Sequence, residues 1–457
     1  MKRLFGTNGI RFVLGRDFML EDVLKVGLAI GTFFGKRRCL LGRDVRLTGE
    51  TIASSVASAL MSTGVSVYDA GLITTPALQY SVKSGDFDFG IMITASHNPP
   101  EFNGIKVIDS DGVEIPREKE KVIESIFFEG KFRYVSWNEV GSYMRIQGLV
   151  EDYVRAVLKH VNISAIMERK LTVAVDPANS VGVLTTPLLL KSLNCRVLTV
   201  NAHLDGTFPG RDPEPRLDNL GTLSDAVIAA GADMGVAHDG DGDRAIFVDE
   251  KGRAHWGDRS AALIVMDYLE RNPGGTIVAP VSTSKAVEDV VNKYGGKLVY
   301  TKVGSIIVSR TMLKLGAELG IEENGGIFYA PHIPVRDGTM ATALILDILT
   351  RRNEPLSKLF ASLPKYYQVK DKVPCPNELK EAVLRALLSE IKGGRVETID
   401  GAKVWFSDGS WVLARPSGTE PIYRVFAEAK EPRRAQALVE EMKAKLRDII
   451  SSLMSRA

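Results

Sequence analysis

From residue 36 onward the chain alternates short apolar runs with longer stretches of helical periodicity. KRRCLLGRD, VSVYDAGLI and DFGIMITAS read as strands, because each is a brief, nearly unbroken apolar run bounded by Gly, Asp or Ser. Between them, GETIASSVASALMSTG and TTPALQYSVKSG carry apolar residues at helical spacing. The rhythm pauses in a polar stretch near residues 131–147 and then restarts. KLTVAVDPANSVG, CRVLTVNA and ADMGVAHDG are the next strands, with TTPLLLKSLNC as a helix. A third cycle runs from DRSAALIVMDYLERN through GTIVAPVST, SKAVEDVVNKYGG, KLVYTKVG and AELGI. Alternation of this kind predicts mixed or parallel sheets covered by helices. Thr74-Thr75-Pro76 and Thr185-Thr186-Pro187 suggest an internal echo, each following a strand and opening a helix, with Pro in the first turn, where its missing N–H costs nothing.

The C-terminal part changes pattern. YYQVKDKVPCP, GAKVWFSD, SWVLARPSG and IYRVFAEAK read as an antiparallel sheet, with helices over ELKEAVLRALLSEI and RRAQALVEEMKAKLRDIISSLM. The expected architecture is three similar α/β domains, residues 1–147, 148–252 and 253–364, followed by a smaller α+β domain, residues 365–457. Composition adds little. The 457 residues are 45% hydrophobic and 25% charged, an ordinary globular mixture with material for several cores. A net charge of +2, with no basic run, argues against a nucleic-acid partner. Cys39, Cys195 and Cys375 are too dispersed for a disulfide framework or a CxxC pair. MKRLFGTNGIRF lacks the apolar core of a leader, and no apolar run is long enough to span a bilayer. A cytoplasmic protein is expected, with no membrane partner; a homo-oligomer is allowed by the sequence.

Four loops carry candidate chemistry. In Asp239-Gly240-Asp241-Gly242-Asp243-Arg244, three carboxylates alternate with small or cationic residues between two apolar strands. At about 4 Å apart each pair repels by roughly 4 kcal/mol at an effective dielectric of about 20. A divalent cation removes that cost, and an all-oxygen donor set favours Mg²⁺, Ca²⁺ or Mn²⁺. A calcium EF-hand fits at its first, third and fifth positions and at Glu250, but Arg244 stands where that loop needs glycine. A solvated acidic turn is the plain alternative. Phe89 to Lys106, FGIMITASHNPPEFNGIK, runs an apolar strand into Ser96-His97-Asn98-Pro99-Pro100; ordinary turn formation accounts for such residues, whereas a phosphate on Ser96 would supply the oxygen ligand a Mg²⁺ site still lacks. Arg415-Pro416-Ser417-Gly418-Thr419-Glu420-Pro421, with Arg424 beyond, offers a guanidinium, hydroxyls and turn N–H groups to a phosphate, or is a plain hairpin turn. Glu322-Glu323-Asn324-Gly325-Gly326 offers acceptors and an amide to sugar hydroxyls, or is likewise a plain turn. Lone histidines (His160, His203, His255 and His332) read as surface or core residues.

TASHNPP, DGDGDR, IEENGG and RPSGTEP stand in the order in which the α-D-phosphohexomutase family carries its serine, metal, sugar and phosphate loops. With FGTNGIR at the N-terminus and GRDVR at residues 42–46, the chain resembles that family over nearly its whole length, nearest in character to the archaeal-type phosphomannomutase/phosphoglucomutase enzymes. The resemblance implies four domains around a central cleft. It implies an intramolecular phosphotransferase that interconverts mannose or glucose 1-phosphate and 6-phosphate, with phosphoglucosamine mutase as the near alternative. In this reading Ser96 carries the phosphoryl group, and Asp239, Asp241, Asp243 and the Ser96 phosphate hold Mg²⁺. Arg244 adds charge at the transferring group, Lys106 and His97 serve proton transfer or orientation, and Arg11 contacts phosphate. Glu322 and Asn324 hold the sugar. Arg415, Ser417, Gly418, Thr419 and Arg424 grip the distal phosphate, and a hexose 1,6-bisphosphate is intermediate and activator. Where many relatives have a histidine ending the sugar loop this chain has Gly326, and Ser305 stands where some have a histidine after the TxxG turn. A catalytically idle sugar-phosphate-binding protein is the contrasting expectation; it would lack a nucleophile or metal ligand, and all are present.

Overall fold

The computed structural model describes residues 3–6, 8–391, 394–418 and 420–455. Three mixed sheets follow one another along the chain, and a fully antiparallel sheet ends it. The first three share one frame. In the first, Arg38–Arg43 lies parallel between Ser66–Leu72 and Phe89–Ile93, and Phe102–Asp109 returns antiparallel beside Phe89–Ile93. In the second, Thr172–Asp176 lies between Arg196–Thr199 and Met234–His238, with Ala245–Asp249 returning. In the third, Thr276–Pro280 lies between Lys297–Thr301 and Leu319–Ile321, with Ile327–Tyr329 returning. Each frame therefore contains strand, helix, strand, helix, strand, hairpin loop, strand, in the same spatial order. The antiparallel return is what alternation of apolar runs alone did not reveal. It follows from connection length, since parallel neighbours need a long crossover whereas a short loop can only join antiparallel ones.

The repeat is thus real, but the Thr-Thr-Pro echo is not its trace. Thr75–Ser84 does begin at the first copy, with the Thr74 side chain capping Ala77 N–H. The second copy lies inside the helix Gly182–Ser192, which starts at the preceding Ser180-Val181 turn, so Pro187 sits mid-helix. Its threonines turn inward instead: Thr186 Oγ1 meets His238 Nε2 at 2.8 Å and Thr185 Oγ1 meets Thr339 Oγ1 at 2.9 Å.

The central strands are buried on both faces; Phe89–Ile93, Met234–His238 and Ala245–Asp249 have no exposed position, which is why they read as continuous apolar runs. The helix Gly338–Arg352 is buried over most of its circumference and packs against helices of the second and third units. The fourth sheet runs Tyr367–Pro374, Ile422–Ala429, Trp411–Pro416, Ala402–Trp405, Arg395–Glu397, and the helix Pro432–Met454 covers it. No helix among the described residues is long and apolar enough to cross a membrane.

The first three units meet around His332. Its ring stacks on Tyr80 with centroids 4.8 Å apart and lies 5.6 Å from Tyr153 and 5.4 Å from His160. Neither ring nitrogen has a hydrogen bond among the described residues, Nε2 standing 3.7 Å from Asp337 Oδ2. Burial, with His160 and Lys83 adding to it, pushes its pKa down to about 3. The folded state thus resists a proton that the unfolded state accepts near 6.5, so this contribution to stability is full above that pH and is lost as pH falls toward 3. The expected loss by about pH 4 is about 3 kcal/mol. Thermal melts of wild type and His332→Phe between about pH 7 and pH 4 check it: the variant should lose less stability over that interval, and parallel curves would contradict the assignment.

Candidate functional site

The serine loop joins Phe89–Ile93 to Phe102–Asp109, the acidic loop joins Met234–His238 to Ala245–Asp249, and the Glu-Glu-Asn loop joins Leu319–Ile321 to Ile327–Tyr329. Each is the hairpin tip of its frame, at the C-terminal end of a parallel strand, where open α/β sheets place ligands.

Ser96 is fully buried and has φ of 51°, a left-handed conformation that a non-glycine residue adopts only when its surroundings impose it. The constraint comes from two residues of the GRDVR segment. Arg46 is buried and all its N–H donors are directed: Nε to Asp44 Oδ2 at 3.1 Å, Nη1 to the carbonyls of Pro99 and Phe102 at 2.7 Å each, and Nη2 to the carbonyls of Ser96 and Asn98 at 2.8 Å each. Its guanidinium also lies 5.1 Å from the Phe208 ring centroid. Asp44 in turn accepts from Thr94 Oγ1 at 2.6 Å, and Thr94 Oγ1 accepts the Ser96 N–H at 2.8 Å. Ser96 Oγ donates to Asp239 Oδ2 at 2.8 Å and stands 3.5 Å from His97 Nδ1.

Gly240 permits this approach of the two loops: a Cβ there would lie 2.4 Å from the Ser96 carbonyl oxygen. Asp239, Asp241 and Asp243 are buried, and one oxygen from each falls within 4.8 Å of the others, a group that can hold a metal ion. Asp241 Oδ2 is pinned by Lys106 Nζ at 2.7 Å and Thr75 Oγ1 at 2.6 Å, and Asp243 Oδ2 by Arg336 Nη2 at 2.5 Å. The opposite oxygens, Asp241 Oδ1 and Asp243 Oδ1, and also Arg244 Nη2, are buried without a hydrogen-bond partner among the described residues. Two orphaned carboxylate oxygens beside an orphaned guanidinium N–H suit a divalent cation next to a phosphate, and this donor set fits Mg²⁺. The EF-hand alternative fails here, because Glu250 accepts the Ser357 N–H at 3.0 Å instead of turning to the three carboxylates.

Cations balance the acids. Burial pushes Asp241 up, but Lys106, Thr75 and Arg336 outweigh it and hold the carboxyl below its ordinary range. Burial opposes the charge on Lys106 too, yet Asp241 and Asp243 keep it an ammonium with a raised pKa. Lys106 therefore stands as an anchor for the carboxylates and not as a ready base. His97 is neutral: burial lowers it well below the usual value, and Arg244, Arg11 and Arg336 add to that. Arg244 binds Asp239 Oδ2 through Nε at 3.1 Å and Glu214 through Nη1 at 3.1 Å. Arg11, lowered to about 10 by burial, stays charged and hydrogen-bonds Asn98.

Ser96, His97, Lys106, Asp239, Asp241, Asp243 and Arg244 thus converge, with Arg11 bordering them. Glu322 is buried and joins the cluster through Arg336 Nη1, 3.5 Å from its Oε2. Asn324 instead accepts the Gly326 N–H at 3.4 Å, within its own turn. The phosphate-type loop lies on the fourth sheet, in the hairpin between Trp411–Pro416 and Ile422–Ala429. There Arg415 Nε is held by Asp400 at 2.8 Å, Gly418 is exposed, and Arg424 pairs with Glu420 at 2.7 Å. Thr419 lies outside the described residues. His203 and His255 bond Asn179 and Asp249 respectively, away from the acidic loop. Sequence reasoning missed the roles of Asp44, Arg46, Thr75 and Arg336. Of these, Arg46 lies in the quoted GRDVR and Thr75 in the Thr-Thr-Pro segment, while Arg336 lies in no motif.

The chain matches four families in succession: phosphoglucomutase/phosphomannomutase alpha/beta/alpha domain I at residues 2–134, domain II at 151–252, domain III at 256–367, and the C-terminal domain at 370–445. It is 45% identical over 450 residues to a phosphoglucosamine/phosphogalactosamine mutase of Sulfurisphaera tokodaii, covering 97% of this chain and 99% of that one. It is 43% identical over 446 residues to a phosphoglucomutase/phosphomannomutase of Thermococcus kodakarensis, covering 96% and 97%. A crystal structure of a phosphoglucomutase/phosphomannomutase family protein from Burkholderia thailandensis superimposes with a TM-score of 0.88 at 27% identity, covering 98% of this chain and 97% of that one.

Proposed function

The chain belongs to the phosphoglucomutase/phosphomannomutase family, the α-D-phosphohexomutases, and from that premise we propose that it interconverts hexose 1-phosphates and hexose 6-phosphates through a phosphorylated Ser96. The observation that carries the reading is the meeting of Ser96 Oγ with Asp239 Oδ2 at 2.8 Å, beside carboxylate oxygens that have no hydrogen bond among the described residues.

The reaction requires two transfers. A hexose 1-phosphate presents its 6-hydroxyl to phosphorylated Ser96; the Ser96 Oγ–P bond breaks, the O6–P bond forms, and the hydroxyl proton is given up so that Ser96 ends as the free alcohol. The hexose 1,6-bisphosphate then reverses, and its 1-phosphate returns to Ser96, which leaves the 6-phosphate. Asp239, Asp241 and Asp243 would hold Mg²⁺, which when bound supplies charge neutralisation at the transferring group. Arg244, whose Nη2 has no hydrogen bond among the described residues, and Arg11 add positive charge at the transferring group. Lys106 fixes the orientation of Asp241. His97, neutral and 3.5 Å from Ser96 Oγ, helps to orient the nucleophile. Glu322 and Asn324 hold sugar hydroxyls, and Arg415, Ser417, Gly418 and Thr419, with Arg424, grip the phosphate that is not reacting. Burial of Ser96 keeps water from the phosphate ester.

Mannose and glucose phosphates are the proposed substrates. An amino-hexose phosphate is the second reading; the name of the Sulfurisphaera relative favours it. The test is ³¹P NMR with Mg²⁺, a trace of glucose 1,6-bisphosphate, and mannose, glucose or glucosamine 1-phosphate in separate tubes. A 6-phosphate resonance is expected, and the relative rates choose the sugar. Chelation should stop turnover, and Mg²⁺ should restore it better than Ca²⁺. Folded protein silent in all three tubes would overturn the reading in favour of a binding protein without turnover.

A further inference from the structure

Arg336 ends the strand Ile333–Arg336, at the edge of the third sheet. Its guanidinium is buried between two loops of different units. Nη2 donates to Asp243 Oδ2 at 2.5 Å, and Nη1 lies 3.5 Å from Glu322 Oε2. In the amide orientation that satisfies both its side-chain atoms, Asn8 accepts from the same Nη2 at 2.9 Å and gives its N–H to Glu114.

Arg336 reaches this position by crossing the sugar loop. A Cβ on Gly326 would lie 2.8 Å from Arg336 Cδ and 3.0 Å from Cγ, so a side chain at residue 326 would displace the stem. The missing side chain at the end of the Glu-Glu-Asn loop is therefore the passage for an arginine from another strand. Once there, Arg336 does for Asp243 what Lys106 does for Asp241. Each cation occupies one carboxylate oxygen, Lys106 also reaching Asp243 Oδ2 at a longer 3.5 Å, and leaves the other oxygen without a hydrogen bond among the described residues.

We propose that Arg336, threaded over Gly326, is a positioning residue that couples the cation-binding Asp243 to the sugar-binding Glu322, so that occupation of one site is felt at the other. The proposal rests on the reading of Glu322 as a sugar ligand. A fixed positive charge on Asp243 also opposes a second one nearby, so Arg336 holds cation affinity below what the three carboxylates alone would give.

The test titrates Mg²⁺ calorimetrically into the full-length, dephosphorylated protein. Arg336→Met keeps most of the stem and removes the charge; its Mg²⁺ affinity is expected to rise about tenfold. Arg336→Lys, which keeps the charge, is expected to stay within about threefold of wild type. Gly326→Ala should shift affinity as Arg336→Met does, because the displaced guanidinium leaves Asp243, and it should add nothing in an Arg336→Ala background. The titrations are repeated with glucose 1-phosphate. In wild type the sugar phosphate and Mg²⁺ should change each other's affinity by one common factor, as linkage requires, and in Arg336→Met that factor should fall toward unity. Equal Mg²⁺ affinity in wild type and Arg336→Met overturns the proposal, as does a linkage that survives the substitution, or a Gly326→Ala effect undiminished without Arg336. Should Arg336→Met fail to fold, Gly326→Ala against wild type decides the same point. Wild-type protein that binds Mg²⁺ yet turns over no sugar phosphate would defeat the mutase assignment alone and leave the Mg²⁺ comparison standing.

Discussion

Replacing Ser96 by alanine is expected to lower kcat/KM by about 10⁴-fold or more while leaving the protein folded. The reason is covalent: the substitution removes the oxygen that accepts and returns the phosphoryl group. The fold should tolerate the change. Alanine and serine meet the same strain at φ of 51°, and Asp239 keeps the Arg244 backbone N–H at 3.2 Å and Nε at 3.1 Å. One hydrogen bond to a carboxylate is lost, at a cost of about 1–2 kcal/mol. Mass spectrometry after incubation with glucose 1,6-bisphosphate should find one added phosphate on wild type and none on the variant. Turnover at the wild-type level in Ser96→Ala would sink the phosphoserine assignment.

The second large effect is expected at Arg46, which touches no reacting atom. Arg46→Met should destabilise the protein by about 3–5 kcal/mol, because it leaves the buried Asp44 without its ionic partner. It also frees the carbonyls of Ser96, Asn98, Pro99 and Phe102, which Arg46 holds. The serine loop then loses the clamp that imposes the left-handed turn, and activity should fall by about 10²-fold or more even in molecules that remain folded. Arg46→Lys should fail almost as badly, since an ammonium cannot copy a planar fork that serves four carbonyls and a carboxylate. Adding Asp44→Asn to Arg46→Met should recover part of the stability and none of the activity. Thermal melts and kcat for the set check this; an Arg46→Lys protein indistinguishable from wild type would contradict it.

The sequence revealed the alternation of elements because strands buried on both faces must be apolar throughout, and it revealed the acidic loop because three carboxylates between such strands have no packing use. The residues that organise the site were harder to see. Arg336 meets Asp243 across 93 residues of chain and Thr75 meets Asp241 across 166, and a single arginine at a strand end looks like ordinary surface charge until the partner strand is placed. Gly326 was visible only as a departure from the family pattern; its reason lies in a side chain ten residues further on. The Thr-Thr-Pro echo misled because Pro187 is tolerated inside a helix. His332, read only as a surface or core residue, is buried, and its place where three units meet depends on Tyr80 and His160, which no local pattern connects to it.

The shared frame of the first three units has a genealogical consequence. Each delivers a hairpin tip from the equivalent strand of its own sheet, and the tips carry different groups: one a hydroxyl, one three aspartates, one two glutamates and an amide. A scaffold repeated in that way is what successive duplication of one α/β unit would produce, with the chemistry of each tip altered separately on an unchanged frame.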